Sequence, residues 1–257
     1  MSEAKVIFWD VYGTLLTAHR GDLDSLLKRQ TELRGAFERT VRNFSLNAVP
    51  ARLQELFLRG IQAERDARVK EGIAHPEVRV DEIWYKLLEK FRPDEPPTIN
   101  LAREVALFFE RQANPKQLQP RAFDVLTTLK QRGLRQGIIS NAQFYTPIEL
   151  SELLREESTS SIRAYESIFD PQFVFFSFDL GVAKPDPTAF RRAVGALTRD
   201  NIMPDDCVLV GNSPTDDIAP AQQLGFKTVL FAPQAVPDSE VKPDLVIHNL
   251  GQLLEWL

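Results

Sequence analysis

The chain has 257 residues, a net charge of −5 and a single cysteine, Cys207. The charge gives no basis for a polyanion-binding surface, so nucleic acid is not an expected partner. One cysteine excludes an internal disulfide, no apolar stretch reaches membrane-spanning length, and residues 1 to 5 lack a signal-peptide pattern; a cytoplasmic protein with no membrane contact is the expectation. With 43% hydrophobic and 26% charged residues, an ordinary globular core is expected, in one large domain or two modest ones.

Val6 to Trp9 is a short apolar run that reads as a strand buried on both faces. Asp10 ends it, Gly13 permits a sharp turn, and Thr14 follows. Ligands of an open parallel sheet bind beyond the carboxyl ends of its strands, where a carboxylate can act as a nucleophile. The plain alternative for Asp10 is to cap the next turn. The pattern then becomes helical for about a hundred residues. Residues 22 to 46 place Leu23, Leu26, Leu27, Leu33, Phe37, Val41 and Phe44 on one stripe. Residues 51 to 70 repeat it with Leu53, Leu56, Phe57 and Ile61, and residues 80 to 91 with Ile83, Trp84, Leu87, Leu88 and Phe91. Pro93 to Pro97 reads as a linker turn, and residues 99 to 113 add a fourth helix with Val105, Leu107, Phe108 and Phe109. The four form a helical bundle, residues 18–115, whose many arginines are a solvated face.

From Leu118 strands and helices alternate. Pro120 suits the first turn of a helix that Gly133 ends. A second strand, residues 134 to 141, runs into Ser140 and Asn141. A helix over 147–156 and a polar break at 158–161 lead to a third strand, 173–177, then to Lys184-Pro185-Asp186-Pro187 and a helix over 188–198. A fourth strand, 207–210, runs into Gly211 to Asp217. A helix to Leu224, strands at 228–231 and 245–247, and a short last helix complete the chain. The fold class is therefore α/β, a parallel sheet covered on both faces, formed by residues 1–17 and 116–257. The bundle is inserted beside Asp10, where it is placed to act as a lid.

Four strand ends thus carry complementary groups. Asp10 is the candidate nucleophile. Ser140 and Asn141 can donate to an anionic oxygen. Lys184 would keep Asp10 ionised and balance charge in a transition state. Asp216 and Asp217 can orient that lysine or hold a cation. Each piece alone is ordinary turn chemistry; the set, in order at successive strand ends, is the signal.

That set resembles the haloacid dehalogenase superfamily, in the subgroup with a helical cap inserted after the first motif. The likeness covers nearly the whole chain. Asp10 to Thr14 is similar to the first motif, Ser140 to the second, Lys184 within Gly181 to Pro187 to the third, and Gly211 to Asp217 to the fourth. The resemblance implies a Rossmann-like core, Asp10, Thr14, Ser140, Lys184 and Asp217 as the catalytic set, and an aspartyl-enzyme intermediate hydrolysed by water. It implies a small anionic substrate met by Tyr12, Asn141 and Asn212. It also raises Mg²⁺ as a cofactor, held by Asp10, the carbonyl of Tyr12 and Asp217, with Asn212 nearby.

Two departures matter. Phosphatases of the superfamily have an Asp where this chain has Tyr12, and usually open the fourth motif Gly-Asp where this chain has Gly211-Asn212. Losing a positioned acid costs about 10²–10⁴-fold in rate for a leaving group that needs a proton. Asp-x-Tyr-Gly-Thr is similar to the metal-free 2-haloacid dehalogenases. Those have Tyr and Asn where this chain has Phe190 and Pro214, and their halide-contacting Arg has no clear counterpart among Arg34, Arg39 and Arg42. His19 is a substitute acid or an exposed loop residue, and Tyr12, with a reference pKa near ~10, is a poor base. Three readings follow: hydrolysis of a phosphoryl ester or anhydride, which leads; metal-free carbon–halogen hydrolysis; and ligand binding without turnover.

Overall fold

The computed structural model of the chain describes residues 4–18, 28–92, 94–158 and 164–257. Leu23, Leu26, Leu27 and His19 fall outside the described residues, as does most of the polar break at 158–161. The chain divides into two compact units, Met1–Thr17 with Gln117–Leu257, and Ala18–Lys116.

The first unit is built on a six-stranded parallel sheet. In chain order its strands are β1 (Val6–Trp9), β4 (Arg135–Ser140), β5 (Phe169–Phe176), β6 (Cys207–Gly211), β7 (Lys227–Phe231) and β8 (Leu245–Ile247). In space they run β5-β4-β1-β6-β7-β8. β1 is central because all four of its side chains are apolar and can be buried on both faces. Its register aligns Val6 with Arg135 and Cys207, and Trp9 with Ile138 and Val210. The ends of β1, β4 and β6 therefore lie level, at the point where strand order reverses direction along the sheet. That is where ligands of such sheets bind.

Alternation along β1 splits the core into two layers. Ile7 and Trp9 pack with Val125, Leu126 and Leu129 of the helix Ala122–Gln131. Val6 and Phe8 pack with Phe173 and with Phe190, Ala193 and Leu197 of the helix Thr188–Arg199. A polar link crosses the first layer and is closed. Trp9 Nε1 donates to Gln136 Oε1 at 3.1 Å, and Gln136 Nε2 donates to the Leu126 carbonyl at 2.8 Å. Phe190, fully buried, is a core residue of the second layer.

Two strands escaped the sequence reading. β2 (Leu16–Thr17) and β3 (Gln117–Leu118) pair antiparallel. At two residues each they are too short to leave a periodic signal. β5 is longer than expected, starting at Phe169. Its pairing with β4 shifts register at Gly137, where any Cβ would lie 2.4 Å from the Phe173 carbonyl.

The helical unit contains Gln30–Asn43, Pro50–Lys70, Val80–Phe91 and Ile99–Ala113. Pro50 opens the second, and the Thr98 hydroxyl caps the fourth by accepting from the Leu101 amide. Phe37, Phe57, Trp84 and Phe109 meet at its centre with ring centroids 4.5–6.2 Å apart. Arg34, Arg39 and Arg42 are exposed, which fits the solvated face. Among the described residues no helix is long and apolar enough to cross a membrane.

Candidate active site

Five of the residues singled out in the sequence meet at the carboxyl edge of the sheet. Asp10 stands one residue past β1, and its amide donates to the Val210 carbonyl of β6 at 2.9 Å. Thr14 is brought back to it by a tight turn: Leu15 donates to Val11, Gly13 donates to Leu16, and Gly13 adopts φ +84°. Thr14 Oγ1 donates to Asp10 Oδ2 at 3.0 Å, and Ser140 Oγ, from the end of β4, donates to Asp10 Oδ1 at 3.1 Å. The same Ser140 oxygen accepts from the Val11 amide.

Lys184 enters from the loop after β5. Its Nζ donates three times: to Asp10 Oδ1 at 2.8 Å, to Asp217 Oδ1 at 2.5 Å and to the Ile139 carbonyl at 3.0 Å. An ammonium has three N–H groups, so this one is saturated. Asp217, rather than Asp216, carries the ion pair. It is turned inward by a wide turn over Pro214–Ile218, in which Ile218 donates to the Ser213 carbonyl. Asp217 Oδ2 accepts from the amides of Asn212 and Ser213 at 3.0 and 2.9 Å. A Cβ at Gly211 would lie 2.5 Å from that oxygen, so only glycine fits there.

All five groups are buried: Asp10 is 5% exposed, Thr14 0%, Ser140 2%, Lys184 7% and Asp217 1%. Burial alone would lower the Lys184 pKa, but Asp10 and Asp217 overcome it and hold it above the usual value. Burial pushes the Asp217 carboxyl up to about 6; Lys184 draws it down and Asp10 works with burial.

The three residues expected to meet substrate make the following contacts. The Tyr12 hydroxyl shares a 2.8 Å hydrogen bond with Thr146 Oγ1, at the start of the helix Thr146–Glu157. The Asn212 side chain lies against Gly13, where an added Cβ would come within 2.1 Å of its Nδ2. The Asn141 amide is spent on the backbone of Lys184. The sequence reading missed the Ile139 carbonyl and the Ser213 amide, because backbone groups leave no mark in side-chain identity.

A Mg²⁺ ion needs oxygen ligands with uncommitted lone pairs. Both Asp217 oxygens are committed, to Lys184 and to two backbone amides. Asp10 Oδ1 is committed to Ser140 and Lys184. Where further carboxylates would complete a cation site the chain has Tyr12 and Asn212. Among the described residues no group of three or more His, Cys, Asp or Glu is arranged to hold a metal. Asp10 Oδ2, whose one described partner is the Thr14 hydroxyl, keeps room for a cation, but positions 12 and 212 supply no second carboxylate, and no step below is routed through the ion.

A family model for haloacid dehalogenase-like hydrolases matches residues 4–225. The chain belongs to that family. Among its haloacid dehalogenase-like relatives is the phosphoserine phosphatase of Thermus thermophilus, 29% identical over 153 residues, which are 59% of this chain and 56% of that protein. Another is the glyceraldehyde 3-phosphate phosphatase of Pyrococcus furiosus, 36% identical over 143 residues, or 54% of this chain and 53% of that one. The chain thus spans little more than half the length of these curated relatives. A solved 2-haloacid dehalogenase from Pseudomonas syringae superposes with a TM-score of 0.63 at 24% identity, covering 98% of this chain and 97% of that chain. At that identity the likeness is one of fold.

Proposed function

We propose that this hydrolase cleaves small anionic substrates through Asp10, by way of a covalent aspartyl intermediate, and that its substrates are phosphorylated compounds with good leaving groups. The observation that carries the reading is the placement of Lys184 Nζ between Asp10 and Asp217. A buried ammonium shared by two carboxylates keeps the nucleophile anionic and offers charge to an incoming anion. The names of the curated relatives, two phosphatases, support the phosphoryl class.

Asp10 Oδ2, which among the described residues takes only the Thr14 hydrogen bond, attacks phosphorus. The bond to the leaving oxygen breaks and its electron pair leaves with that oxygen. Water then attacks the phosphorus of the aspartyl phosphate; the bond to Asp10 breaks, its electron pair returns to the carboxylate, a water proton passes to solvent, and phosphate is released. No carboxylic acid stands at position 12 to protonate the leaving group, and the Tyr12 hydroxyl is engaged with Thr146. Acyl phosphates and anhydrides, whose leaving groups need no proton, are therefore the expected substrates.

The same observation at position 12, with Asn212 in place of a carboxylate, favours a second reading. In it Asp10 displaces halide from the carbon of a 2-haloacid, and water hydrolyses the resulting ester. One experiment separates the two. Acetyl phosphate and a panel of 2-haloacids are incubated with the protein, in EDTA and across a Mg²⁺ titration. Asp10→Asn serves as control. Phosphate release that falls by about 10⁴–10⁶-fold in Asp10→Asn supports the first reading. Halide release in EDTA replaces it with the second. Neither product, or product that survives Asp10→Asn, overturns the Asp10 mechanism.

A further inference from the structure

Asn141 follows β4 directly, beside Ser140, where it was expected to meet substrate. Its side chain is instead bound to one residue, forty-three positions further on. Asn141 Oδ1 accepts from the Lys184 amide at 2.7 Å, and Asn141 Nδ2 donates to the Lys184 carbonyl at 3.1 Å. The pairing admits one orientation of the amide, because a backbone N–H can only donate and a carbonyl can only accept. We propose that Asn141 is a positioning residue that clamps the Lys184 backbone, so that Lys184 Nζ is delivered to the gap between Asp10 and Asp217.

Lys184 needs such a clamp. It lies on a loop between β5 and the helix Thr188–Arg199, not on a strand. A lysine side chain has four rotatable carbons and a large rotamer entropy. A backbone shift there would carry the ammonium away from its partners without breaking any regular element. Asn141 ties that loop to the strand that also supplies Ser140 and the Ile139 carbonyl, the latter an acceptor for Lys184 Nζ. The anchor is itself braced. Ser177 Oγ accepts from the Ala142 amide at 2.8 Å and donates to the Ala142 carbonyl at 3.3 Å, and the Phe178 amide donates to that carbonyl at 3.2 Å. The chain on both sides of the β4–β5 crossover is thus laced together at the height of the site. Both ends of Lys184 are fixed from β4: its backbone by Asn141 and its ammonium by Ile139.

The role rests on Lys184 acting with Asp10 as proposed above, so its test has one arm that needs turnover and one that does not. Asn141→Leu keeps the side-chain volume and removes both hydrogen bonds. With acetyl phosphate, or whichever probe turns over, kcat is expected to fall by about 10²-fold, the cost of a misplaced group, with KM changed less than about 2-fold. In a Lys184→Ala background the same substitution is expected to cost nothing further, because its effect passes through Lys184. A raised KM at unchanged kcat, or equal costs in both backgrounds, would show that Asn141 touches substrate and overturn the clamp.

The second arm is amide hydrogen exchange on the full chain. The Lys184 N–H is expected to be protected in the native protein and to exchange at least about 10-fold faster in Asn141→Leu. An unprotected Lys184 N–H in the native protein sinks the clamp. So does faster exchange with unchanged kcat, which would leave the hydrogen bonds real and the positioning role false. Absence of any Asp10-dependent turnover overturns the proposed chemistry and leaves the exchange result to decide the clamp alone.

Discussion

The centre of the helical unit is a set of rings, Phe37, Phe57, Trp84 and Phe109, whereas the carboxyl edge of the sheet buries Asp10, Lys184 and Asp217 in direct ionic contact. Each is a fully buried cluster, yet they stabilise differently. The rings gain from area removed from water and from edge and offset packing, terms that are non-directional and indifferent to pH. The ions gain from one another only what desolvation has already taken away, so their net contribution is near zero while the cost of breaking them is large. A region kept for stability is built like the first. A region built like the second suits the proposed chemistry better than it suits a role in stability.

The largest effect expected from that contrast is at Lys184. Lys184→Met fills a similar volume and leaves two carboxylates buried without a cation. It is expected to cost about 3–5 kcal/mol in urea unfolding at pH 7.5, the penalty for orphaning a buried charge. The cost should shrink as the pH falls, because acid neutralises the stranded carboxyls. Adding Asp217→Asn to Lys184→Met should return part of the stability. A Lys184→Met protein as stable as the parent at pH 7.5 would break the comparison, since the charged cluster would then be no liability.

The matching substitution in the helical unit sharpens it. Phe109→Ala removes a ring whose nearest neighbour, Phe37, has its centroid 4.5 Å away. Truncation of a buried aromatic costs about 3 kcal/mol where adjacent rings can lean into the space. What matters is the pH profile: the loss should be the same at pH 5 and pH 8, measured by the same unfolding assay. A loss that changes with pH would show that the rings lean on a nearby ionic group, with buried Asp81 and its half-buried partners Arg79 and Arg103 the first suspects.

Much of the sheet was legible because its strands are short apolar runs punctuated by polar ends, and the structure keeps six of them at nearly the expected positions. The two-residue strands β2 and β3 were not, because two residues carry no period. The positions of Asp10, Ser140 and Lys184 after strands suggested their grouping, and the family resemblance added Thr14 and Asp217. What the grouping could not convey was how each hydrogen bond is spent. Asn141 and Ser140 are neighbours with similar polar side chains; one hydroxyl reaches Asp10 and the other residue's amide is consumed by a backbone forty-three residues away. Of Asp216 and Asp217 the family resemblance favoured Asp217 by spacing; the wide turn over Pro214–Ile218, which turns that carboxylate inward, left no pattern of its own in the sequence.

The smallest effect concerns protons, and it turns on Asp217. Its carboxyl is pushed up to about 6 by burial, with Asp10 adding to the shift and Lys184 opposing it. The folded protein therefore binds more protons than the unfolded chain between the model value of 3.8 and about 6. Through this one group, stability falls as pH rises across that window and is level above it, the reverse of a carboxylate whose pKa is depressed. For activity the sign is opposite. When Asp217 takes up a proton, the Lys184 charge is no longer shared and falls wholly on Asp10, which becomes a weaker nucleophile. The kcat/KM profile should then decline below about pH 6, approaching tenfold per unit. In Asp217→Asn that acid limb should disappear, leaving a lower and flatter profile. A limb that persists unchanged in Asp217→Asn would assign the titration to another group and sink this reading of Asp217.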